Sequence, residues 1–192
     1  MRVPTIVEGY MESIFLPVLL DQLGRADLEP DIRIAGGGDK FWVQALRYNE
    51  AGKTLKVIGL ADLEQELCAP LLLAAKLPEK SSGFQLRIAV RMLESWLLAD
   101  RQSMASFLKV LVSKLPTDPD NEAHAKRALV DIARHSTSRR IRDALLPDDS
   151  GGLVGSDYTA TMSEFIHQHW KAAAARKVSP SLEKACQRWS VI

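Results

Sequence analysis

Three scarcities narrow the field before any motif is read. No apolar run approaches the roughly 18 residues that cross a bilayer, so no transmembrane helix and no membrane partner are expected. Only two cysteines occur in 192 residues, Cys68 and Cys186, too far apart for zinc-type spacing or a disulfide framework. A reducing, cytoplasmic setting is therefore expected. The formal net charge is only +1, so the whole molecule does not attract nucleic acid, and any such contact needs a local basic patch.

Several reaction classes also lack their motifs. There is no Gly-x-Ser-x-Gly elbow and no dinucleotide fingerprint. His167 and His169 stand two apart on an expected helix and face differently, which argues against a zinc pair. Neither cysteine has a histidine in a dyad context, so thiol chemistry is unsupported. The start, Met1-Arg2-Val3-Pro4, runs straight into a strand pattern, and no secretory leader is expected. No internal repeat or low-complexity tract is visible. What remains is an ordinary globular composition, 46% apolar and 26% charged, long enough for one α/β core with a helical appendage.

The first 115 residues alternate short apolar runs with helical periods. Val3–Val7, Pro30–Ala35, Leu55–Leu60 and Leu86–Val90 read as buried strands. Met11–Leu23, Phe41–Asn49, Gln65–Lys76 and Leu93–Leu111 read as helices, with Gly24 capping the first and Asp39 at the N-cap of the second. This alternation predicts a mainly parallel sheet of about four strands flanked by helices. Leu115–Asp120 contains two prolines and reads as a linker. Beyond it, Ala123–His135, Ser163–Arg176 and a segment opening at Ser179-Pro180 are helical, with a polar loop over Pro147–Gly155. The expected organisation is an α/β core over 1–115 and a helical C-terminal extension over 116–192 packed on it.

Acidic residues recur where strands give way to helices: Glu8 and Glu12, Asp62 and Glu64, then Glu94. In a parallel sheet the carboxyl ends of the strands share one edge, where ligands bind. Carboxylates gathered there raise one another's pKa values, and a hard divalent cation relieves that conflict. Alternatively, each acid simply complements the positive end of a helix. Gly36–Lys40 offers backbone N–H groups of Gly37 and Gly38, with Lys40, as a phosphate cradle, and Arg91 flanks the fourth strand's end. That segment lacks Walker spacing, so a plain turn with a solvated lysine is the competing reading. Lys126 and Arg127, with Arg134, Arg139, Arg140 and Arg142, form a basic cluster that suits phosphates or simply a solvated face. Trp96 reads as a core aromatic and Asp100 as surface or linker-contacting.

Val7-Glu8-Gly9-Tyr10-Met11-Glu12, Gly36-Gly37-Gly38-Asp39-Lys40 and Ala61-Asp62-Leu63-Glu64 together resemble a Toprim domain, the Rossmann-like fold of topoisomerases, bacterial primases and OLD-family nucleases. That family holds magnesium with a glutamate after the first strand and an Asp-x-Asp after a later one. The resemblance assigns these parts to Glu8 and to Asp62 with Glu64, a departure that lengthens the second arm by one methylene. Val90–Asp100, Asp62–Glu64 with Cys68-Ala69-Pro70, Val154–Tyr158 and Ser179–Leu182 are similar to a Toprim-like group catalogued as domain-of-unknown-function family 4276. OLD-type nucleases add carboxylates for a second metal and a downstream lysine, which points to Glu94 and Lys126. The resemblance thus implies a Mg2+ (or Mn2+)-dependent nuclease using Glu8, Asp62, Glu64 and Lys126. Glu8, Glu12, Asp62, Glu64 and Glu94 would be its metal ligands. Water is its nucleophile, DNA or RNA its substrate, and an AAA/ABC-type ATPase its partner in antiphage defence. Two alternatives stand beside it: a non-catalytic module docked on an ATPase, and a nucleotide-handling phosphotransferase.

Overall fold

A computed structural model describes residues 1–148 and 151–192. Asp149 and Ser150, inside the loop expected at 147–155, lie outside the described residues. Four strands, β1 (Arg2–Val7), β2 (Glu29–Ile34), β3 (Val57–Asp62) and β4 (Phe84–Ala89), form one all-parallel sheet in the order β2-β1-β3-β4. Helices α1 (Tyr10–Gln22), α2 (Gly38–Ala51) and α3 (Ala69–Lys76) are the crossovers. The architecture is α/β and Rossmann-like, with helices over both faces. β1 and β3 are nearly continuous buried runs because they are covered on both faces.

The two faces carry separate cores. On one, Ile6, Val57, Ala61, Leu86 and Ile88 pack under Phe41 and Ala45 of α2 and Leu72 of α3. On the other, Val3, Val7, Ile58 and Leu60 meet Phe15, Leu16, Leu19 and Leu20 of α1 and everything that follows β4. These are α4 (Leu93–Ala99), α5 (Arg101–Leu108), α6 (Ala125–Ala133), α7 (Arg139–Leu145), α8 (Tyr158–Gln168), the short α9 (Ala172–Ala175) and α10 (Pro180–Trp189). Trp96 sits at the centre of this layer as a core aromatic, 5.8 Å from Phe15 and 6.5 Å from Trp189 between ring centroids. The C-terminal helices therefore share one core with α1 and the sheet.

Gly24 ends α1 as expected. Its positive φ of 73° lets its own N–H reach Asp21 O and that of Arg25 reach Leu20 O, the paired bonds of a left-handed cap. Elsewhere the boundaries differ. The N-cap of α2 is Gly37, with φ 117°, and Asp39 lies inside the first turn. α3 begins at Ala69 rather than Gln65, with Pro70 in its first turn, because the chain turns at Glu64 in the left-handed region (φ 51°).

The long helix expected over 93–111 is two helices, and Asp100 corrects its own assignment. It is 1% exposed, not surface. Its backbone leaves the helical region (ψ 69°), and its carboxylate accepts the N–H of Ser103 at 3.3 Å and of Lys171 at 2.8 Å. The apolar period runs straight across the break because both helices are buried, so the pattern conceals it. Likewise 163–176 is not one helix: α8 starts at Tyr158 and stops at Gln168, where the Trp170 indole turns in to donate to Trp96 O at 3.1 Å. Asp100→Ala is expected to cost about 2 kcal/mol, read by urea denaturation, because it orphans two N–H groups at once. A loss below a few tenths would show that water replaces the cap.

Candidate functional site

The carboxyl edge of the sheet is built by Glu8, Asp62 and the turns that follow them. Glu8 extends β1 by one step: its N–H donates to Leu60 O at 3.1 Å, and its carbonyl accepts the N–H groups of Gly36 and Gly37 at 2.9 and 3.2 Å. With its backbone held from both sides, its Oε2 accepts the Asp62 N–H at 3.2 Å. Asp62 is the last residue of β3, and its Oδ1 accepts the Leu93 N–H at the start of α4 at 3.0 Å. Glu12, 6% exposed in the first turn of α1, reaches back to the Gly9 N–H at 3.0 Å. Glu94, 3% exposed in the first turn of α4, accepts the Tyr158 hydroxyl at 3.0 Å and lies 3.3 Å from Lys126 Nζ.

All five expected acids line one cleft of about 430 Å³, together with Gly37, Met92, His124, Lys126 and Arg127. Glu64 arrives from an unusual backbone: its left-handed turn is held by its N–H on Arg91 O at 2.8 Å. Glu8 and Glu64 lie beside the start of α2: a Cβ at Gly38 would stand 3.5 Å from Glu8 Oε1 and 3.8 Å from Glu64 Oε2, ordinary contact distances. Helix N-termini account for part of this set: Glu12 and Glu94 occupy first turns, and Asp62 accepts an N–H at the start of α4, whereas α3 begins well beyond Glu64.

The crowding is legible in the protonation of the acids. Burial, reinforced by Glu94 and Glu8, pushes the Glu12 carboxyl up to about 7. Burial, then Glu12, Glu94 and Glu8, raises Asp62 well above the ordinary carboxylate range. Glu8 is raised mainly by burial, although the Asp62 N–H bond holds it back. Burial disfavours the Lys126 ammonium, but Glu94, with Asp62 and Glu12 behind it, outweighs that and holds the proton more tightly than usual. Burial and then Glu94 raise the Tyr158 phenol well above its ordinary value, so it stays a hydroxyl donor.

Does this donor set suit magnesium or manganese? Among the described residues no three acidic, histidine or cysteine groups already stand together as a ready ligand cage. The chemistry of the set nevertheless fits. It consists of carboxylate oxygens, which hard cations prefer. Glu8, Glu12 and Asp62 are each anchored through one oxygen, leaving the second without a hydrogen bond to any described residue. A cation held here would draw on Glu8, Asp62 and Glu64, with Glu12 and Glu94 lining the same cleft.

The phosphate-binding candidates divide. Gly37 lines the cleft and Gly38 borders it beside Glu8, Asp62 and Glu64. Lys40 is exposed and is not part of the cleft wall. Arg91 is turned away: its Nη1 donates to the carbonyls of Glu66 at 2.5 Å and Glu64 at 3.4 Å, and it lines a different cleft. The basic cluster divides too. Lys126 and Arg127 face the acids, whereas Arg134, Arg139 and Arg140 are paired with Asp131, Asp143 and Glu164, and Arg142 donates to Ser136 O. Sequence reasoning missed Tyr158 and His124 as site residues. Tyr158 lay in a segment that carried the resemblance, but nothing local signals a hydroxyl aimed at an acid 64 positions away.

The fold and cleft define an α/β protein with an acid-rich site on the carboxyl edge of a four-strand parallel sheet. No protein-family model, no curated protein and no solved structure matches the chain. Among the described residues, no helix is long and apolar enough to cross a membrane.

Proposed function

We propose that the cleft hydrolyses phosphodiester bonds of nucleic acid with a divalent cation, magnesium or manganese, in the manner of the Toprim-type nucleases that the motifs resemble. One observation carries the reading: Glu8 and Glu12, Asp62, and Glu94, from three separate chain segments, meet in one cleft at the carboxyl edge of the sheet. When bound, the cation supplies charge neutralisation at the phosphoryl oxygens and a water of lowered pKa.

The chain's own residues do the rest. Glu8, Asp62 and Glu64 would hold the cation, Asp62 and Glu8 on backbone fixed by the sheet and Glu64 on the turn after β3. Lys126 and Arg127 offer the cleft's positive charge to a phosphodiester. Tyr158 is a poor nucleophile, since its proton is held on the Glu94 side by burial and by that carboxylate. Water is the attacking group. A cytoplasmic setting and an ATPase partner of the AAA or ABC type belong to the same proposal.

The test is cleavage of linear and circular DNA and of RNA in magnesium or manganese, with and without the ATPase. Wild type should cut, and Asp62→Asn should fall on the order of a hundredfold or more. Wild type that cuts no polymer under any of these conditions sinks the reading. A second reading, a module docked on an ATPase, has one observation in its favour. Large apolar side chains stand exposed on α2 and just before and within α3, at Val43, Leu46, Leu67 and Leu71. They lie on the α/β half, not on the C-terminal helices, and co-purification with the ATPase reads this directly.

A further inference from the structure

A second cleft, of about 380 Å³, adjoins the first across the segment leaving β3: Glu64 faces the acidic cleft and Leu63 this one. One part of its wall is apolar, from Leu63, Leu73 and Ile88, and Pro180 closes one side at the start of α10. Its charge is of the opposite sign to its neighbour's. Arg87, Arg91 and Lys184 line it. The one acid in its wall, Asp120, is already committed, accepting from Ser179 Oγ at 2.7 Å and from the Ser181 N–H at 3.0 Å.

Arg87 differs from its neighbours Arg91 and Arg188. Arg91 is bonded to carbonyls and Arg188 to Gln85, but Arg87 forms no hydrogen bond or ion pair with any described residue. Its Nε is sealed from solvent without an acceptor. Lys80 and Arg188 are its charged neighbours, so burial and then Arg188 hold its pKa below the usual value. A half-buried guanidinium beside like charge, with no acceptor, destabilises a fold. No described residue offers Arg87 an acceptor, and such departures from good packing concentrate at binding sites. The guanidinium fork matches a carboxylate or phosphate.

We propose that this cleft binds a small organic anion with an apolar body. Its carboxylate, sulfonate or phosphate group pairs with Arg87 under Lys184, and its hydrophobic part lies on Leu63, Leu73 and Ile88. The cleft's size falls within the roughly 300–1,000 Å³ usual for small-ligand sites. No residue lining the acidic cleft lines this one.

Fluorescence titration with anilinonaphthalene sulfonate tests it, with neutral phenylnaphthylamine as the uncharged counterpart. Wild type should bind the sulfonate at one saturable site and more tightly than the amine. Arg87→Met should weaken the sulfonate about tenfold, the scale of a lost charged hydrogen bond, and leave the amine unchanged. Lys184→Glu, on the exposed face of α10, should weaken the sulfonate as well and serves if Arg87→Met folds poorly. Asp62→Asn should bind both probes as wild type does. In nitrogen-detected NMR, the Arg87 Nε–H resonance should shift on sulfonate binding. Equal affinity of wild type for both probes, or sulfonate binding unmoved by both Arg87→Met and Lys184→Glu, overturns the proposal.

Discussion

Asp62→Asn is expected to abolish the stabilisation that magnesium or manganese confers on the wild-type protein. A specific site at about 100 times its dissociation constant adds roughly 2.7 kcal/mol. For a chain of this size that is a rise in Tm of about 5–10 °C. The asparagine is chosen because its side-chain oxygen can still accept the Leu93 N–H that holds Asp62 at the mouth of α4. Fold and charge are thereby separated. Without metal the variant should melt at or above wild type, since a group raised by burial and by Glu12, Glu94 and Glu8 has been made neutral. Thermal unfolding at increasing cation concentration reads both effects. A wild-type Tm that does not move at millimolar metal removes the cation from the cleft, and the docking-module reading then leads.

Metal-free protein should lose stability as pH rises from about 4.5 to about 7, the reverse of the usual carboxylate behaviour. The direction follows from the protons. Glu12, Asp62 and Glu8 have folded-state pKa values above their ordinary ones, so through this window the folded chain binds more protons than the unfolded. Below the unfolded value the acids are neutral in both states and no cost is felt. Above the folded value the full cost of burying charge is present. For Glu12 alone, moved from 4.5 to about 7, it is about 3 kcal/mol, at roughly 1.4 kcal/mol per pH unit. Glu12→Gln, which keeps an acceptor for the Gly9 N–H, should flatten the slope and be the more stable protein at pH 8. Urea denaturation from pH 4.5 to 8 measures it. A wild-type profile that is flat or rising across that range means the acids are better solvated than their burial implies. Added magnesium should restore stability at pH 8 in wild type and do less for Glu12→Gln.

The parallel sheet was legible because its signals are local. The buried runs ending at Val7 and Leu60 and the helical period after Glu8 are set by neighbours in sequence, and each apolar side chain needs only some cover, not a particular partner. The acidic edge was legible for a related reason: in a parallel sheet every strand's carboxyl end points the same way, so Glu8, Asp62 and Glu94 converge without their contacts being known. Boundaries were less secure. β3 runs two residues further than its apolar pattern, which puts Asp62 inside the strand rather than at a helix start.

Tertiary structure alone decided the pairings. Asp100 looks like one more exposed acid on a helix until Lys171, 71 positions on, supplies its second donor. The Glu94 carboxylate, the Tyr158 hydroxyl and the half-exposed Lys126 ammonium form a linked group whose members no spacing rule connects. Arg134, Arg139 and Arg140 read as a basic patch, yet each faces an acid, while Arg87 on β4 is left with none. The physical difference is one of range. Hydrophobic periodicity and turn chemistry act over a few residues, so sequence determines which elements form and which edge collects charge. Whether a given charge is neutralised depends on desolvation and on partners that only the packed chain brings within a few ångströms.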